Sequence, residues 1–185
     1  MKREEALQIL DDYVQNDNLK RHMFAVEAAM RDYAMRMDGD PDLWGLAGLL
    51  HDFDWEIHPT LEKHPQAGAP ILRERGVPVI VVECILSHAD HTGVARETTM
   101  QKALYACDEI TGLIIAVALI RPSRSLQDLS VKSVKKKWKD ARFAANVDRE
   151  AIEAACAALK VDLWEHVENV ILSMRLIEAE LGLKS

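Results

Sequence analysis

Aromatic residues, cysteines and long apolar runs are all scarce in this sequence. Aromatic residues make up 5% of the 185 residues, so the hydrophobic core must consist mainly of Leu, Ile, Val, Ala and Met side chains. The three cysteines (Cys84, Cys107 and Cys156) form no C-x-x-C pair and indicate no disulfide framework. We expect them to be buried small apolar residues in a reducing compartment. The longest apolar run, residues 113–120, is too short to span a bilayer.

Positive charge is also in the minority. The net charge is −7, so no global basic field attracts nucleic acid, and a nucleic-acid partner is not expected. The N-terminal residues MKREEALQIL are charged and lack the apolar region of a signal peptide. The sequence therefore predicts a soluble cytoplasmic protein without membrane contact, and no pattern in it indicates an oligomeric state.

No segment alternates convincingly between polar and apolar residues with the period of a β-strand, whereas helical periodicity runs through most of the chain. The pattern predicts helices at about residues 3–15, 18–37, 41–50, 65–75, 78–88, 98–120, 147–159 and 162–181. Residues 53–63 are expected to form a loop, and a polar, basic stretch follows residue 121. Because no repeat or Gly/Ser linker interrupts the chain, we predict one all-α domain over residues 1–185.

Seven histidine and aspartate residues stand where apolar residues would serve helix packing better. They are His22, His51, Asp52, His64, His88, His91 and Asp108. Imidazole and carboxylate groups are typical ligands of divalent transition metals, and seven donors suffice for two ions that share one carboxylate. A satisfied buried histidine or a solvated loop explains each residue taken alone. The ordered set is more specific, since local sequence rules fail repeatedly in one chain, and it indicates an enzyme.

This ordered set resembles the HD-domain metal-dependent phosphohydrolases, close to the HDIG type. The segments that carry the resemblance are His22 on an early helix, Leu49-Leu50-His51-Asp52, His64-Pro65-Gln66-Ala67-Gly68-Ala69, Ile85-Leu86-Ser87-His88-Ala89-Asp90-His91 and Ala106-Cys107-Asp108-Glu109-Ile110. The resemblance implies a single compact helical bundle with its motif core at about residues 18–120. Additional C-terminal helices, at about 121–185, match no motif.

The resemblance also implies a binuclear metal site. One ion would be held by His22, His51, Asp52 and Asp108, and Asp52 would bridge to a second ion held by His64, His88 and His91. A hydroxide that bridges the two ions would attack phosphorus in line, with His51 and Asp52 at the catalytic centre. Mixed nitrogen and oxygen ligation suits divalent transition metals, so iron is expected first, with manganese, zinc or cobalt as the other choices.

The implied function is hydrolysis of a phosphoester or phosphoanhydride of a small molecule, with a nucleotide-like substrate expected first. Two other functions remain open from the sequence. One is a di-iron oxygenase of the same fold, and the other is a regulatory module that binds a nucleotide. A phosphorylated small molecule is the expected partner in the leading case.

The residues after the His51-Asp52 pair depart from the HDIG type. They read Phe53-Asp54-Trp55-Glu56, where glycine and lysine often follow. The missing lysine removes a phosphate contact or a proton donor, and the added carboxylates weaken the expectation of a polyanionic substrate. Asp54 and Glu56 either support ligand histidines from behind or lie in a solvated loop. Lys63 and Arg96 are the substrate-binding cations that we expect in place of the lysine.

Three further features are expected to lie outside the site. His58 falls in the loop and is expected to be solvent-exposed, and His166 has no partner at metal-ligand spacing. Residues 132–142 are basic around Trp138, which predicts a solvated helix face with Trp138 packed inward. The alternative for this basic segment is a surface for a phosphate-rich ligand or an anionic partner.

Overall fold

The computed structural model describes residues 1–183, which fold into nine α-helices and one short 3-10 helix without a β-strand. The α-helices are α1 (Arg3–Tyr13), α2 (Asp17–Arg36), α3 (Pro41–Leu50), α4 (Ala69–Glu74), α5 (Val79–Ser87), α6 (Thr99–Leu119), α7 (Val131–Trp138), α8 (Arg149–Leu159) and α9 (Leu163–Arg175). The 3-10 helix, Asp90–Thr92, follows α5. This confirms the predicted all-α class.

Polar side chains begin the two longest helices because the first backbone N–H groups of a helix have no partner within it. The Asn16 carboxamide oxygen accepts from the N–H groups of Asn18 and Leu19 at 2.9 and 3.3 Å, so Asn16 caps α2, which begins at Asp17. Thr98 caps α6, which begins at Thr99, through a reciprocal pair of hydrogen bonds with Gln101.

In three stretches the secondary structure differs from that predicted by the periodicity. Residues 61–68 form consecutive turns, so α4 begins at Ala69 and not at Pro65. The final helix ends at Arg175, and residues 176–182 continue as turns, in which the buried Glu178 carboxylate accepts from Ser125 Oγ and the Leu126 N–H. The basic stretch after residue 121 contains α7.

The centre of the bundle is formed by α2, α3 and α6, and it determines where the site lies. The most extensive helix pair is α2 with α3, which pack so closely at Gly48 that a Cβ there would lie 2.8 Å from the Glu27 nitrogen. The long apolar helix α6 crosses α2, while α8 and α9 pack on α6 and α2 from the C-terminal side. Within residues 1–183, every helix falls short of the length and apolarity that a membrane span requires.

His166 on α9 ties three of these helices together. It is fully buried, and its Nε2–H donates to the Ala106 carbonyl of α6 at 2.8 Å. Its Nδ1 therefore accepts the hydroxyl hydrogen of Tyr33 on α2. Burial lowers the pKa of His166 to about 4, so this imidazole stays neutral at physiological pH. The residue is a buried packing element, in keeping with its omission from the predicted site.

The depressed pKa of His166 predicts a pH-dependent stability. Its ordinary pKa is 6.5, so its contribution to folding is complete above pH 6.5 and is lost as the pH falls toward about 4. The full loss corresponds to about 3 kcal/mol. We expect the free energy of unfolding of a His166→Gln variant, measured in urea, to fall less steeply than that of the wild type between pH 6.5 and 4. Equal slopes for the two proteins would contradict this assignment.

Candidate metal centre

Six of the seven predicted histidine and aspartate side chains meet in two adjacent groups beyond the C-terminal end of α3. The first group is His22, His51 and Asp108, and the second group is Asp52, His64 and His88. Packing of α2, α3 and α6 brings the first group together, because His22 lies on α2, His51 follows α3 and Asp108 lies on α6. The turns before α4 and the end of α5 supply His64 and His88.

Distances within each group match those between neighbouring ligands of one metal ion. His22 Nε2 is 3.2 Å from His51 Nε2 and 3.0 Å from Asp108 Oδ1. His64 Nε2 is 3.2 Å from both His88 Nε2 and Asp52 Oδ1. Metal–ligand bonds of about 2.0–2.1 Å place neighbouring ligand atoms about 3.0–3.4 Å apart. Each group can therefore hold one ion.

Asp52 lies between the two groups and presents one carboxylate oxygen to each. Its Oδ2 is 3.4 Å from His51 Nε2 and 3.7 Å from His22 Nε2. Its Oδ1 is 3.2 Å from His64 Nε2 and 3.6 Å from His88 Nε2. This is the arrangement in which a single carboxylate can bridge two cations.

Backbone carbonyls orient the two histidines that follow helices. The Nδ1–H of His51 donates to the Gly48 carbonyl at 2.8 Å, in the last turn of α3. The Nδ1–H of His88 donates in the same way to the Ile85 carbonyl, in the last turn of α5. Since the Nδ1 atom carries the hydrogen in both neutral rings, the lone pair of each Nε2 is directed into the site.

Thr111 orients His22 through a similar hydrogen bond. Its hydroxyl donates to the Asp108 carbonyl at 2.7 Å, so its oxygen accepts from His22 Nδ1 at 3.3 Å. The Nε2 lone pairs of His22 and His51 then face each other at 3.2 Å. Facing lone pairs repel unless a cation lies between them, so the donor set fits a divalent metal ion. Thr111 was missed in the sequence, although its position one helical turn after Asp108 could have indicated it.

Asp54 supports His64 from behind, which decides between the two alternatives left open by the sequence. It is completely buried, and its Oδ1 accepts from His64 Nδ1 at 2.7 Å. Its Oδ2 is buried without a hydrogen-bond partner among the described residues. Gly68 makes room for this carboxylate, since a Cβ there would lie 2.5 Å from Asp54 Oδ2.

Glu56 has a different role from Asp54. Its carboxylate accepts from the backbone N–H groups of Gln15 and Asn16 at 3.0 and 2.6 Å, outside the two groups of metal-binding side chains. It therefore joins the loop after α3 to the start of α2. Of the two extra acids in the motif, Asp54 supports a histidine of the site and Glu56 holds a loop.

Electrostatics in the site favour positive charge. Burial alone lowers the pKa of His51, but the carboxylates of Asp52 and Asp108 outweigh burial and raise the pKa well above its ordinary value. Burial also lowers the pKa of His64, whereas Asp52 and Asp54 raise it to about 9. Conversely, burial raises the pKa of Asp52 and of Asp108, but a positive His51 lowers both. Carboxylates that stabilise protons on buried imidazoles would stabilise metal cations in the same place.

A cavity of about 350 Å³ opens onto both groups. Asp52, His64, His88 and Asp108 form its floor, and Asp90, Glu109 and Asp148 add further carboxylates to the wall. None of the described residues that line this metal-site cavity is Lys or Arg. Burial and the Asp108 charge raise the pKa of Glu109 to about 7. Asp148 was missed because it lies far along the sequence, at the start of α8, where it also caps that helix.

Four other predicted residues lie outside the two groups. His91 lines the metal-site cavity, but its Nε2–H donates to the His64 carbonyl at 2.8 Å, so this atom is directed away from the second group. The Arg96 guanidinium pairs with Asp90, donates to the Ser87 carbonyl and stacks over the Tyr105 ring, behind the cavity wall. Lys63 is exposed, and His58 is half-buried; neither lines the cavity.

The contact between Gly68 and Asp54 predicts the effect of a small substitution. We expect Gly68→Ala to destabilise the metal-free protein by about 1–3 kcal/mol in urea unfolding, because the added methyl overlaps a buried carboxylate. In an Asp54→Ala background the cost of Gly68→Ala should shrink. Gly112→Ala is the matched control, since nothing lies within 4 Å of a Cβ in that position of α6. Because alanine favours a helix interior over glycine, this substitution should raise the free energy of unfolding by about 1 kcal/mol. A Gly68→Ala protein as stable as the wild type would contradict the close contact.

Comparison with known protein families matches the HD domain over residues 19–118, more than half of the chain. The matched range contains all of the histidine and aspartate residues of both groups. Comparisons with curated proteins and with solved structures gave no match. The ordered motif, the helical bundle and the match together identify this chain as a member of the HD-domain family, which is in general a family of metal-dependent hydrolases.

Proposed function

We propose that this protein is a phosphohydrolase that uses two divalent transition metal ions to cleave a phosphate ester of a small molecule. The observation that carries the proposal is the position of Asp52, whose two carboxylate oxygens lie 3.2–3.7 Å from Nε2 atoms of two separate histidine pairs. A site for a single ion would need only one such pair.

The residues divide between the two ions as their distances suggest. His22, His51, Asp108 and Asp52 Oδ2 would hold one ion, and His64, His88 and Asp52 Oδ1 would hold the other. Bound there, the ions would supply positive charge to the phosphoryl oxygens and lower the pKa of a water molecule. Iron is our first choice, with manganese, zinc and cobalt next, because imidazole and carboxylate ligands suit all four metals. The HDIG subtype stays a prediction.

The chain's own residues orient the ligands. Thr111 and Asp54 fix the rings of His22 and His64, which keeps each Nε2 aimed at its ion. His91 faces the cavity with Nε2 already bonded to the His64 carbonyl. We therefore assign His91 to neither ion, in place of the metal ligation that the family resemblance implies.

The charge of the cavity wall narrows the substrate class. Asp90, Glu109 and Asp148 line the metal-site cavity, and no Lys or Arg lines it within the described residues. A chain of phosphates would meet these carboxylates and be repelled. A single phosphate on the ions, attached to a compact group that carries hydroxyls or an amine, would complement them. Among nucleotides, a nucleoside monophosphate fits this class and a triphosphate does not.

A di-iron oxygenase is the second candidate function. It is favoured by the nitrogen-rich donor set, in which four imidazoles serve two ions, and by the absence of a cation in the described cavity wall. It differs from the hydrolase in requiring oxygen, so a comparison of activity with and without oxygen distinguishes the two functions.

Metal content tests the two-ion assignment. We expect the anaerobically purified wild type to bind two equivalents of metal in elemental analysis. Asp54→Asn should lower the affinity for the second ion by about 10–100-fold, because His64 loses the carboxylate that orients it. The affinity for the first ion should not change. Glu56→Gln is the control, since Glu56 bonds only to loop backbone, and it should keep both equivalents. Wild-type protein that saturates at one equivalent would contradict the assignment.

Activity under argon separates the two functions. We expect the metal-loaded protein to hydrolyse at least one member of a panel of phosphate monoesters without oxygen, and Asp52→Asn to lower kcat by about a thousandfold because both ions lose a ligand. Triphosphates should be poor substrates. Oxygen consumption in air, together with the absence of phosphate release under argon, would favour the oxygenase and overturn the hydrolase.

A further inference from the structure

The segment that contains α7 carries charge opposite to that of the whole molecule. Six of the 23 basic residues, and one of the 30 acidic residues, lie in residues 132–142, so the remainder is more negative than the net charge of −7. The basic residues are Lys132, Lys135, Lys136, Lys137, Lys139 and Arg142. The Lys and Arg residues that form ion pairs within residues 1–183 are Arg3, Lys20, Arg31, Arg36, Arg75, Arg96 and Arg121. Within the described residues, the cations of α7 have no ion-paired acid, and they repel one another.

Four of these lysines surround a cavity of about 560 Å³ that also contains two indole rings. We call it the lysine–tryptophan cavity; it is lined by Lys132, Lys135, Lys136, Trp138, Lys139 and Trp164. The lysine spacing of three, four and seven residues places all four on one helical face. Trp138 and Trp164 meet edge to face, with ring centroids 5.6 Å apart, and Lys135 Nζ lies 4.7 Å from the Trp164 centroid. Both tryptophans are partly exposed.

The chemistry of this wall defines its ligand. Lysine ammonium groups bind phosphate oxygens, and indole rings stack on planar bases. The face from Lys132 to Lys139 rises about 10 Å along the helix, which matches the length of a short polyphosphate chain. A long nucleic acid would run onto the acidic remainder of the surface and be repelled there. We propose that the lysine–tryptophan cavity binds a nucleoside polyphosphate.

This site is separate from the metal centre. The two cavities share no lining residue, and their charges are opposite, with carboxylates around the metal-site cavity and lysines around the other. A polyphosphate that the acidic wall repels is complementary to α7. The inference therefore stands whether or not the proposed phosphohydrolase activity is correct.

Calorimetric titration with the non-hydrolysable β,γ-imido analogue of ATP tests the proposal on the metal-loaded chain of 185 residues. We expect one molecule bound per chain, with an affinity that falls as NaCl is raised, because exposed charges are screened. Lys136→Glu should weaken binding by about tenfold, since an attractive contact becomes a repulsive one. Lys137→Glu is the matched control on the same helix: its ammonium lies over the Phe143 ring, and it does not line the cavity. It should change the affinity by no more than about twofold.

Two further titrations show where the nucleotide binds and which of its groups are recognised. Asp52→Asn should leave the affinity unchanged, which separates this site from the metal centre. Inorganic triphosphate should bind more weakly than the nucleotide, because it cannot stack on the indoles. The proposal is overturned by no binding at millimolar nucleotide, by equal affinities of Lys136→Glu and wild type, or by loss of binding in Asp52→Asn. Equal affinity for inorganic triphosphate, or tighter binding of a single-stranded oligonucleotide or an acidic peptide, overturns it as well.

Discussion

The convergence of four imidazole nitrogens on the Asp52 carboxylate is the constraint on which the rest of the molecule depends. The Nε2 atoms form two pairs, His22 with His51 and His64 with His88, and the two atoms of each pair lie 3.2 Å apart. Each pair faces one oxygen of Asp52. Hydrogen bonds on the far side of each ring hold the lone pairs inward, so the arrangement is costly without a positive charge between them. The bundle supplies the framework, because α2, α3 and α6 carry one group while α5 and the turns before α4 carry the other. The close packing of α2 on α3 at Gly48 is therefore as much a part of the site as its ligands.

Charge is distributed unevenly outside this centre, and the distribution narrows the function. Carboxylates line the metal-site cavity, whereas lysines of the α7 segment line a different cavity. A compact monophosphate suits the first environment, and a polyphosphate suits the second. Under the proposed function, a nucleotide substrate at the metal centre would therefore be a monophosphate. The oxygenase alternative uses the same ligands and differs in its need for oxygen.

The sequence predicted most of the helices because caps and periodicity are local signals. The predicted starts of α3 at residue 41 and of α6 at about residue 98 are confirmed. The helix start predicted at Pro65 was wrong, since residues 61–68 form consecutive turns before α4 begins.

The order of histidine and aspartate residues in the sequence indicated six side chains that the structure brings together. Order alone could not place His91, whose Nε2 bonds to a backbone carbonyl. Asp54 and Glu56 look equivalent in the sequence; only packing against Gly68 distinguishes the buried residue. Asp148 reaches the cavity through tertiary packing of α8, for which the sequence holds no local signal.

Anomalous X-ray diffraction from crystals of the metal-loaded protein, recorded at the absorption edge of the bound metal, tests the central claim most directly. The account predicts two peaks, one among His22, His51 and Asp108 and the other beside His64 and His88, with one Asp52 oxygen directed at each. It also predicts that His91 lies outside both coordination spheres. A single peak, or two peaks that Asp52 does not join, would contradict the binuclear site and with it the proposed chemistry.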